Sequence, residues 1–476
     1  MSVADQPRTT RRRRFEMPHI YIILLSFIAL AAVATYLVPG GRYERVEGPE
    51  GRTTIDPNSF EFIEANRTTL TDFMLAIPQG LISAGEVVFF TLMIGGVFMV
   101  LHATGIIELA VARLSRRFAR RGLLMLGILM TIFALIATLI GTQELSLVYV
   151  PVILPLIIAL KYDSVVAAAV ALCATTVGFA AGVLNPINTG LAQTLSDVPL
   201  FSGALMRIAV LVAALAVAMF FVMRYATKIR RDPSRSLLAD DEAEAIKREE
   251  YQKDSSTLPI PVATGRQKAA SVASLLFLAL LVYGVLAQGW FMLEMAGLFI
   301  VMGAVVGVIA GLNGTEICEA FNKGFRDVLV GALIAGVARG VAVVLENGQI
   351  LDTIVHSLGV VVGGLPAALA AIGMFVMQLL FNFVVPSGSG QALVTMPIMA
   401  PLADLLDVTR QTAVLAFQLG DGFGNILYPT SGYFMATLAL AGVPWQKWVK
   451  FFLPMFAGFI VVSLIALLVA QLIGWS

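Results

Sequence analysis

Four short polar stretches interrupt long apolar sequence and contain the residues best suited to chemistry. They are residues 141–144 and 185–190 in the first half, and 386–391 and 421–432 in the second half. Proline and glycine in these stretches break the helical ladder, which frees backbone carbonyls and amides. Freed carbonyls hold a cation, whereas the N-termini of half-helices carry partial positive charge that attracts an anion. Together the four stretches predict a binding site for a small charged solute.

Hydroxyl, amide and acidic side chains supply the donors and acceptors in and near these stretches. The candidate substrate-binding residues are Asn185, Asn188, Thr189, Ser387, Gly388, Ser389, Gln391, Asp421, Asn425, Thr430 and Ser431. The candidates for holding a coupling ion are Glu144, Asp421 and Asn188. An acid inside an apolar stretch predicts function, because a charge in the bilayer is costly. We expect Na⁺ at the unwound segments, or H⁺, as the coupling ion, and neither another cofactor nor a firm metal site. Arg339 is expected either to pair with an acid inside the bundle or to neutralise a substrate carboxylate.

The composition excludes a soluble protein and argues against several other classes. Of the 476 residues, 58% are hydrophobic and 13% are charged, against about 25% charged in a soluble domain. The net charge of +1 gives no reason to expect a nucleic-acid partner. No lysine is followed by serine or threonine, so the phosphate loop of an ATP-driven pump is absent. No nucleophile–base pair or set of metal ligands appears, so we do not expect an enzyme.

Apolar runs long enough to span a bilayer, which takes about 20 residues, recur along the chain. They lie at 20–38, 85–111, 122–141, 164–184, 205–223, 269–287, 292–312, 328–346, 362–385 and 451–473. Shorter, interrupted runs lie at 143–160, 387–406 and 411–442. These runs predict an all-α polytopic membrane protein with roughly 11–13 membrane segments, some of them unwound or re-entrant.

Lysine and arginine predict the orientation, because they are enriched in cytoplasmic segments. The arginine-rich segments 11–14, 113–121 and 224–231 are expected in the cytoplasm together with the N-terminus, and 40–70 outside. We interpret the run 20–38 as a retained first span rather than a cleaved signal peptide, because it is long enough to cross.

The two halves of the chain repeat each other. Gly80 matches Gly324 and Gly178 matches Gly422, each pair 244 residues apart. The predicted parts are 1–70 (first span and external loop), 71–226 (first repeat), 227–268 (a charged, solvated, partly helical cytoplasmic linker), 269–312 (two connecting spans) and 313–476 (second repeat).

The charge bias of the two copies predicts that one is inverted relative to the other. Five arginines between 113 and 121 follow the opening span of the first copy, whereas the equivalent stretch 352–366 has no lysine or arginine. Inverted repeats are typical of secondary transporters, with the binding site between the repeats near the membrane midplane.

Several long motifs resemble the YfcC-type transporter family of the C4-dicarboxylate carrier C group, within the ion-transporter superfamily. They are Val-Pro-Ser-Gly-Ser-Gly-Gln-Ala-Leu-Val-Thr-Met-Pro at 385–397, Arg-Gln-Thr-Ala-Val at 410–414, Asp-Gly-Phe at 421–423, Pro-Thr-Ser-Gly at 429–432, Met-Pro-His at 17–19, Val-Pro-Gly-Gly at 38–41 and Asn-Pro at 185–186. The resemblance implies an inverted-repeat homodimer with a scaffold and a moving part that carries re-entrant hairpins. It also implies that 387–391 is a hairpin tip, faced by unwound breaks at 185–190 and 425–431.

The favoured interpretation is a secondary active transporter, an ion-coupled symporter or exchanger, of a small carboxylate-bearing metabolite in a bacterial inner membrane. Family members are commonly described as basic amino-acid antiporters, which is the function we favour, or as C4-dicarboxylate carriers. In the first case Asp421 or Glu144 would meet the ammonium, and in the second they would hold Na⁺ or H⁺. A channel and a membrane receptor are more distant alternatives.

Overall fold

A computed structural model describes residues 20–47, 53–118, 121–253 and 263–475. The helices are α1 (Ile20–Leu37), α2 (Leu70–Ser83), α3 (Gly85–Ala103), α4 (Ile106–Phe118), α5 (Gly122–Ile140), α6 (Leu145–Ala159), α7 (Ser164–Ala181), α8 (Leu191–Leu195), α9 (Ala204–Arg231), α10 (Glu242–Lys253), α11 (Gly265–Gln288), α12 (Met292–Ala310), α13 (Gly314–Asn347), α14 (Leu351–Gly363), α15 (Ala367–Val384), α16 (Gly388–Leu405), α17 (Arg410–Gly424), α18 (Gly432–Ala441) and α19 (Trp445–Leu472). A π-helical turn (Pro186–Gly190) precedes α8, and a 3₁₀ turn (Pro233–Arg235) follows α9. The arginines at 11–14 and the motif at 17–19 lie outside the described residues.

Eight helices in the described part of the chain are long and apolar enough to cross a membrane. They are α1, α3, α5, α7, α9, α12, α13 and α19, and α6, α14, residues 369–384 of α15, and α18 are shorter apolar helices. The predicted helical polytopic fold is therefore confirmed. The apolar run 85–111 is not one span, however, because the chain turns after α3 at Gly105, whose φ of +73° favours glycine. The run 328–346 is the second half of the long helix α13.

The segment 40–63, within the loop predicted to be external, contains four short strands that the helical prediction missed. β1 (Gly40–Arg42) pairs antiparallel with β4 (Glu61–Ile63), and β2 (Arg45–Glu47) with β3 (Thr53–Ile55). Three-residue strands carry too little alternation to be predicted. The Thr54 hydroxyl of β3 donates to the Leu393 carbonyl of α16, 2.8 Å away. That carbonyl needs a partner because Pro397, one turn later, has no N–H.

The order of elements in the first half recurs in the second half. α5 and α6 are joined by a short non-helical tip at 141–144, and α15 and α16 by one at 385–387. Each of these helix–tip–helix units is followed by a buried helix, α7 or α17, then a short helix and a 28-residue helix, α9 or α19. The inversion of one half relative to the other stays a prediction.

The helices α7 and α17 form the centre of the bundle. Every residue of α7 is buried, and α17 is buried from Gln411 to Gly424. The two backbones approach closely, since a Cβ on Gly422 would lie only 2.7 Å from the Ala180 Cα. Small residues allow this approach, and van der Waals packing is the main attraction between helices in a membrane. The central helices thus hold the polar breaks at their ends in fixed positions.

The predicted linker helix is present as α10; half of its residues are exposed, but one face, which was predicted to be solvated, is packed against the protein. Glu244 is 1% exposed and accepts hydrogen bonds from the backbone N–H and hydroxyl of Ser164, at the start of α7. The Lys247 Nζ donates to the Ala441 carbonyl at the end of α18, 2.7 Å away. Burial raises the pKa of Glu244 and lowers that of Lys247. The linker therefore joins helices from both halves of the chain.

Gly324→Ala is expected to destabilise the crossing of α3 and α13. A Cβ on Gly324 would lie 2.7 Å from the Gly96 Cα, so the two helices would have to separate. Overpacking of this kind costs about 1–3 kcal/mol and should lower the thermal unfolding midpoint of the purified protein. Gly314→Ala is the matched control, because an added Cβ there meets nothing within 4 Å. An unchanged midpoint for Gly324→Ala would contradict the tight crossing.

Candidate functional site

The two tips face each other across a cavity of about 450 Å³. Of the residues predicted from the sequence, Glu144, Asn188, Ser387, Gly388, Ser389, Asn425 and Thr430 line this cavity. Asn185, Thr189, Gln391, Asp421 and Ser431 do not line it, but all five are buried within the protein. The structure therefore brings seven of the twelve predicted residues to one cavity and leaves the other five buried outside its wall.

Three helix N-termini reach the cavity. α6 begins directly after Glu144, α16 begins at Gly388 and α18 begins at Gly432. The Ser387 hydroxyl caps α16 by accepting from the Gly390 N–H at 3.4 Å. The first N–H groups of a helix have no partner within the helix and carry partial positive charge. This arrangement suits an anionic group such as a carboxylate.

Asp421 lies behind the cavity wall and is held by three amide side chains. Its Oδ2 accepts from the Asn188 Nδ2 at 3.0 Å, and its Oδ1 accepts from the Asn382 Nδ2 at 2.9 Å and the Asn425 Nδ2 at 3.4 Å. Asn188 and Asn425 stand between Asp421 and the cavity, because they line it and Asp421 does not. Asp421 is therefore one side chain removed from a solute in the cavity.

The π-helical turn positions Asn188. The Asn185 side chain caps this turn by accepting from the Asn188 N–H at 2.9 Å. Pro186 opens the turn, where its missing N–H costs no helical hydrogen bond. The cap leaves the Asn188 amide free to reach Asp421 across the interface between the two halves of the chain.

Sequence reasoning missed a polar row on α15 that supports the tip. Gln378 and Asn382 are four residues apart and so lie on one face of the helix. The Asn382 Nδ2 lies 3.3 Å from the Gln391 Oε1, and the Gln391 Nε2 donates to the Gln378 Oε1 at 2.7 Å. Two amides at this spacing within the apolar run 362–385 are a signal that could have found them.

The first tip is tied to the second half through Gln143, which was also missed as a site residue. Its Nε2 donates to the Gly422 carbonyl at 3.0 Å, and its Oε1 accepts from the Tyr433 hydroxyl at 2.5 Å. The neighbouring Glu144 lines the cavity and accepts a hydrogen bond from the Thr142 hydroxyl. Glu144 is thus the predicted acid that a solute in the cavity would meet directly.

Several buried oxygens at the site have no hydrogen-bond partner among the residues that the structure describes. They include Asn188 Oδ1, Thr189 Oγ1, Asn382 Oδ1 and Gln418 Oε1. Each of these oxygens can accept a further hydrogen bond. Amide, hydroxyl and carboxylate oxygens are also the ligands that hard cations such as Na⁺ prefer. If Asp421 is protonated instead, its O–H can donate a hydrogen bond to one of these oxygens.

Arg339 pairs with an acid, which was one of the two expectations for it, whereas its contact with a substrate carboxylate stays a prediction. Its Nη2 pairs with the Glu346 Oε1 at 3.1 Å, and its Nε donates to the Ser83 Oγ at 3.1 Å. Arg339 also lines the cavity, together with Glu86. The cavity is therefore lined by two acids and by an arginine whose charge is already paired.

Two solved transporter structures are similar to the chain over most of its length. MtrF of Neisseria gonorrhoeae, described with a class of antimetabolite efflux pumps, matches 96% of this chain and 95% of its own, with 17% identity and a TM-score of 0.40. The YdaH transporter of Alcanivorax borkumensis matches 96% of this chain and 99% of its own, with 15% identity and a TM-score of 0.41. At these values no residue role transfers from either structure.

Two relatives match the sequence along its length. The Escherichia coli (strain K12) protein named "Putative basic amino acid antiporter YfcC" is 32% identical over 513 residues, which cover 100% of both chains. A Haemophilus influenzae protein is 27% identical over 503 residues, covering 96% of this chain and 98% of its own. These matches confirm the resemblance inferred from the motifs.

The family profile of DcuC, described as the C4-dicarboxylate anaerobic carrier, matches residues 17–472. This match includes both tips, the π-helical turn and the whole of α17. The chain is a multi-pass membrane transporter and belongs to the DcuC family.

Proposed function

We propose that this protein is a secondary active transporter that exchanges basic amino acids across a bacterial inner membrane. The observation that carries the proposal is the pairing of three helix N-termini with the carboxylate of Glu144 around one cavity. A basic amino acid offers a carboxylate to the N-termini, near Ser387 and Ser389, and a cationic group to Glu144.

Two observations support a cationic substrate: the charges that line the cavity, and the name of the E. coli relative. Glu86 and Glu144 line the cavity, whereas the charge of Arg339 is paired with Glu346. The wall is thus more negative than positive, which favours a substrate that carries more positive than negative charge. The relative that is 32% identical over the full length is named as a basic amino acid antiporter.

A C4-dicarboxylate carrier is the second candidate, and specific observations favour it. The family is described by that substrate, and Arg339 provides a second place for a carboxylate if its pair with Glu346 opens. In this case Glu144 would bind the coupling ion instead of the substrate.

The coupling ion is proposed to act at Asp421. Its carboxylate is fully buried, one side chain behind the cavity, and unpaired oxygens of Asn188, Thr189 and Asn382 accompany it. A proton or Na⁺ there would neutralise a charge that is costly to move through the membrane. Assembly as a homodimer and a cytoplasmic N-terminus remain part of the proposal.

Counterflow in proteoliposomes tests the proposed function. The full chain is reconstituted, preloaded with arginine, lysine, ornithine, succinate or fumarate, and given the labelled compound outside. If basic amino acid inside the liposomes accelerates the uptake of labelled basic amino acid, the result would support the exchanger. Uptake of dicarboxylate alone would replace it with the carboxylate carrier, and flux without acceleration would indicate a channel. No flux through folded protein would contradict all three.

Gly388→Ala is expected to weaken substrate binding about tenfold, because it would displace the cavity-lining Asn188, and losing a hydrogen bond from this amide to the charged substrate costs about 1.5–3 kcal/mol. An added Cβ would lie 2.8 Å from the Asn188 Oδ1, so the amide would have to turn away from Asp421. The measurement is KM in counterflow. Gly297→Ala is the control, since an added Cβ there meets nothing within 4 Å. Equal KM for the two variants would exclude the contact between tip and Asn188 as a determinant of binding.

A further inference from the structure

A second cavity, of about 400 Å³, lies apart from the first and shares no lining residue with it. Helices α3, α4, α6, α11 and α12 contribute its main walls, which are apolar except for two serines. The hydroxyls of Ser271 and Ser274 donate to the carbonyls of Gln267 and Ala270 in their own helix, each at 2.8 Å. No side-chain donor in the wall is therefore left for a charged solute, and an apolar chain is the occupant that fits.

Helix α4 covers this cavity with one face and carries exposed arginines at the edge of that face. Ile107, Ala110 and Leu114 line the cavity at helical spacing. Arg113 and Arg117 of the same helix are exposed. An apolar face bordered by exposed arginines is typical of a helix that lies at the surface of a membrane.

Both ends of α4 meet elements on the same side of the protein. At its start, the Thr104 carbonyl accepts from the Gln267 side chain in the first turn of α11, at 3.2 Å. After its end, a Cβ on Gly122 would lie 2.7 Å from the Tyr162 hydroxyl. The Tyr162 hydroxyl in turn accepts from Arg230, in the basic segment predicted to be cytoplasmic. Helix α4 therefore returns to the side on which it began instead of crossing.

We propose that the second cavity binds one acyl chain of an anionic phospholipid, whose phosphate pairs with Arg113 and Arg117. The chain would enter under α4, where the wall is apolar, and the headgroup would remain at the membrane surface beside the arginines. Charge complementarity selects the anionic lipid, because each arginine near the surface contributes about fivefold to its binding. The opposite walls belong to α6, which begins directly after Glu144, and to α11, so the lipid lies between the first tip unit and its neighbours.

Native mass spectrometry of the purified full chain tests this site independently of transport. The protein is exposed to equal amounts of dioleoyl phosphatidylglycerol and dioleoyl phosphatidylcholine. We expect phosphatidylglycerol to be retained over phosphatidylcholine by roughly 25-fold, the product of two arginine contributions. The double variant Arg113→Gln/Arg117→Gln should bring the two lipids close to parity. Arg224→Gln/Lys228→Gln, which removes equal charge from exposed positions on α9, should leave the preference unchanged.

Filling the cavity tests the acyl-chain part of the proposal. Ala110→Trp and Val152→Phe each place a larger side chain in the cavity from an exposed position, so both are expected to fold. Both should reduce retention of either lipid, whereas Leu135→Trp, which is 49% exposed and outside the cavity, should not. Wild-type retention in both filled variants would overturn the proposal and leave ordinary surface lipid only. Equal retention of the two lipids by the unaltered protein would overturn the role of the arginines.

Discussion

Glu144→Gln is expected to weaken the binding of arginine and lysine by more than about a hundredfold while the protein still folds. The carboxylate lines the cavity and is the proposed partner of the substrate's cationic group. Leaving a buried charge without its partner costs about 3–5 kcal/mol, and about 1.4 kcal/mol corresponds to a tenfold change in affinity. Glutamine keeps an oxygen that accepts from the Thr142 hydroxyl, and Glu144 caps no helix through its side chain.

The measurement is the KM for labelled arginine in counterflow, with the thermal unfolding midpoint as a test of folding. Asp240→Asn is the control, because it removes an exposed carboxylate far along the chain from either tip. An unchanged KM for arginine would exclude Glu144 as the cation partner. If Glu144→Gln also abolished gradient-driven uptake of a dicarboxylate, the acid would instead bind the coupling ion.

Asp421→Asn is expected to abolish gradient-driven accumulation and to preserve exchange. Asp421 is separated from the cavity by Asn188 and Asn425, so it is placed to bind a coupling ion and not the substrate. The substitution removes the charge with little structural cost. The Asn188 amide can rotate, because its Oδ1 has no partner and would then accept from the new amide.

Two assays on the same proteoliposomes separate the roles of Asp421. Accumulation driven by a Na⁺ or pH gradient should fall to the level of empty liposomes. Counterflow should stay within about threefold of the rate of the unaltered protein, because a threefold change corresponds to less free energy than a typical hydrogen bond contributes, about 1 kcal/mol. The Asp240→Asn variant should keep both activities. Loss of both arginine binding and exchange would mean that Asp421 contacts the substrate itself. Normal accumulation would mean that the coupling ion binds elsewhere.

Many polar residues of the candidate site could be predicted because they are unusual in the apolar runs in which they occur. Proline, glycine and amides within apolar runs are costly in a bilayer unless they serve a cavity. For this reason Asn188, Ser387 and Thr430 could be selected without a structure, and all three line the cavity. Gln378 and Asn382 were missed, because they lie within a continuous helix and do not interrupt it.

The fold was predictable to a similar degree and for a related reason. The length and hydropathy of each run predict a helix, because every backbone polar group in a bilayer must be satisfied within the segment. The same rule does not say where a helix turns along the surface. The run 85–111 therefore contains one spanning helix and the start of α4, and the packed position of α10 was not foreseen.

The sequence by itself determined the membrane location, the helical class, the polar breaks and the transporter family. Each of these depends on composition or local pattern, because the length and hydropathy of each segment decide separately whether it enters the bilayer. Only the tertiary structure decided that Glu144 faces the cavity while Asp421 lies behind Asn188, although both acids are equally unusual in the sequence. Their difference arises from contacts between residues more than 200 positions apart, such as the one between Asn188 and Asp421. Contacts of this kind depend on how the two halves pack, and no local pattern encodes them.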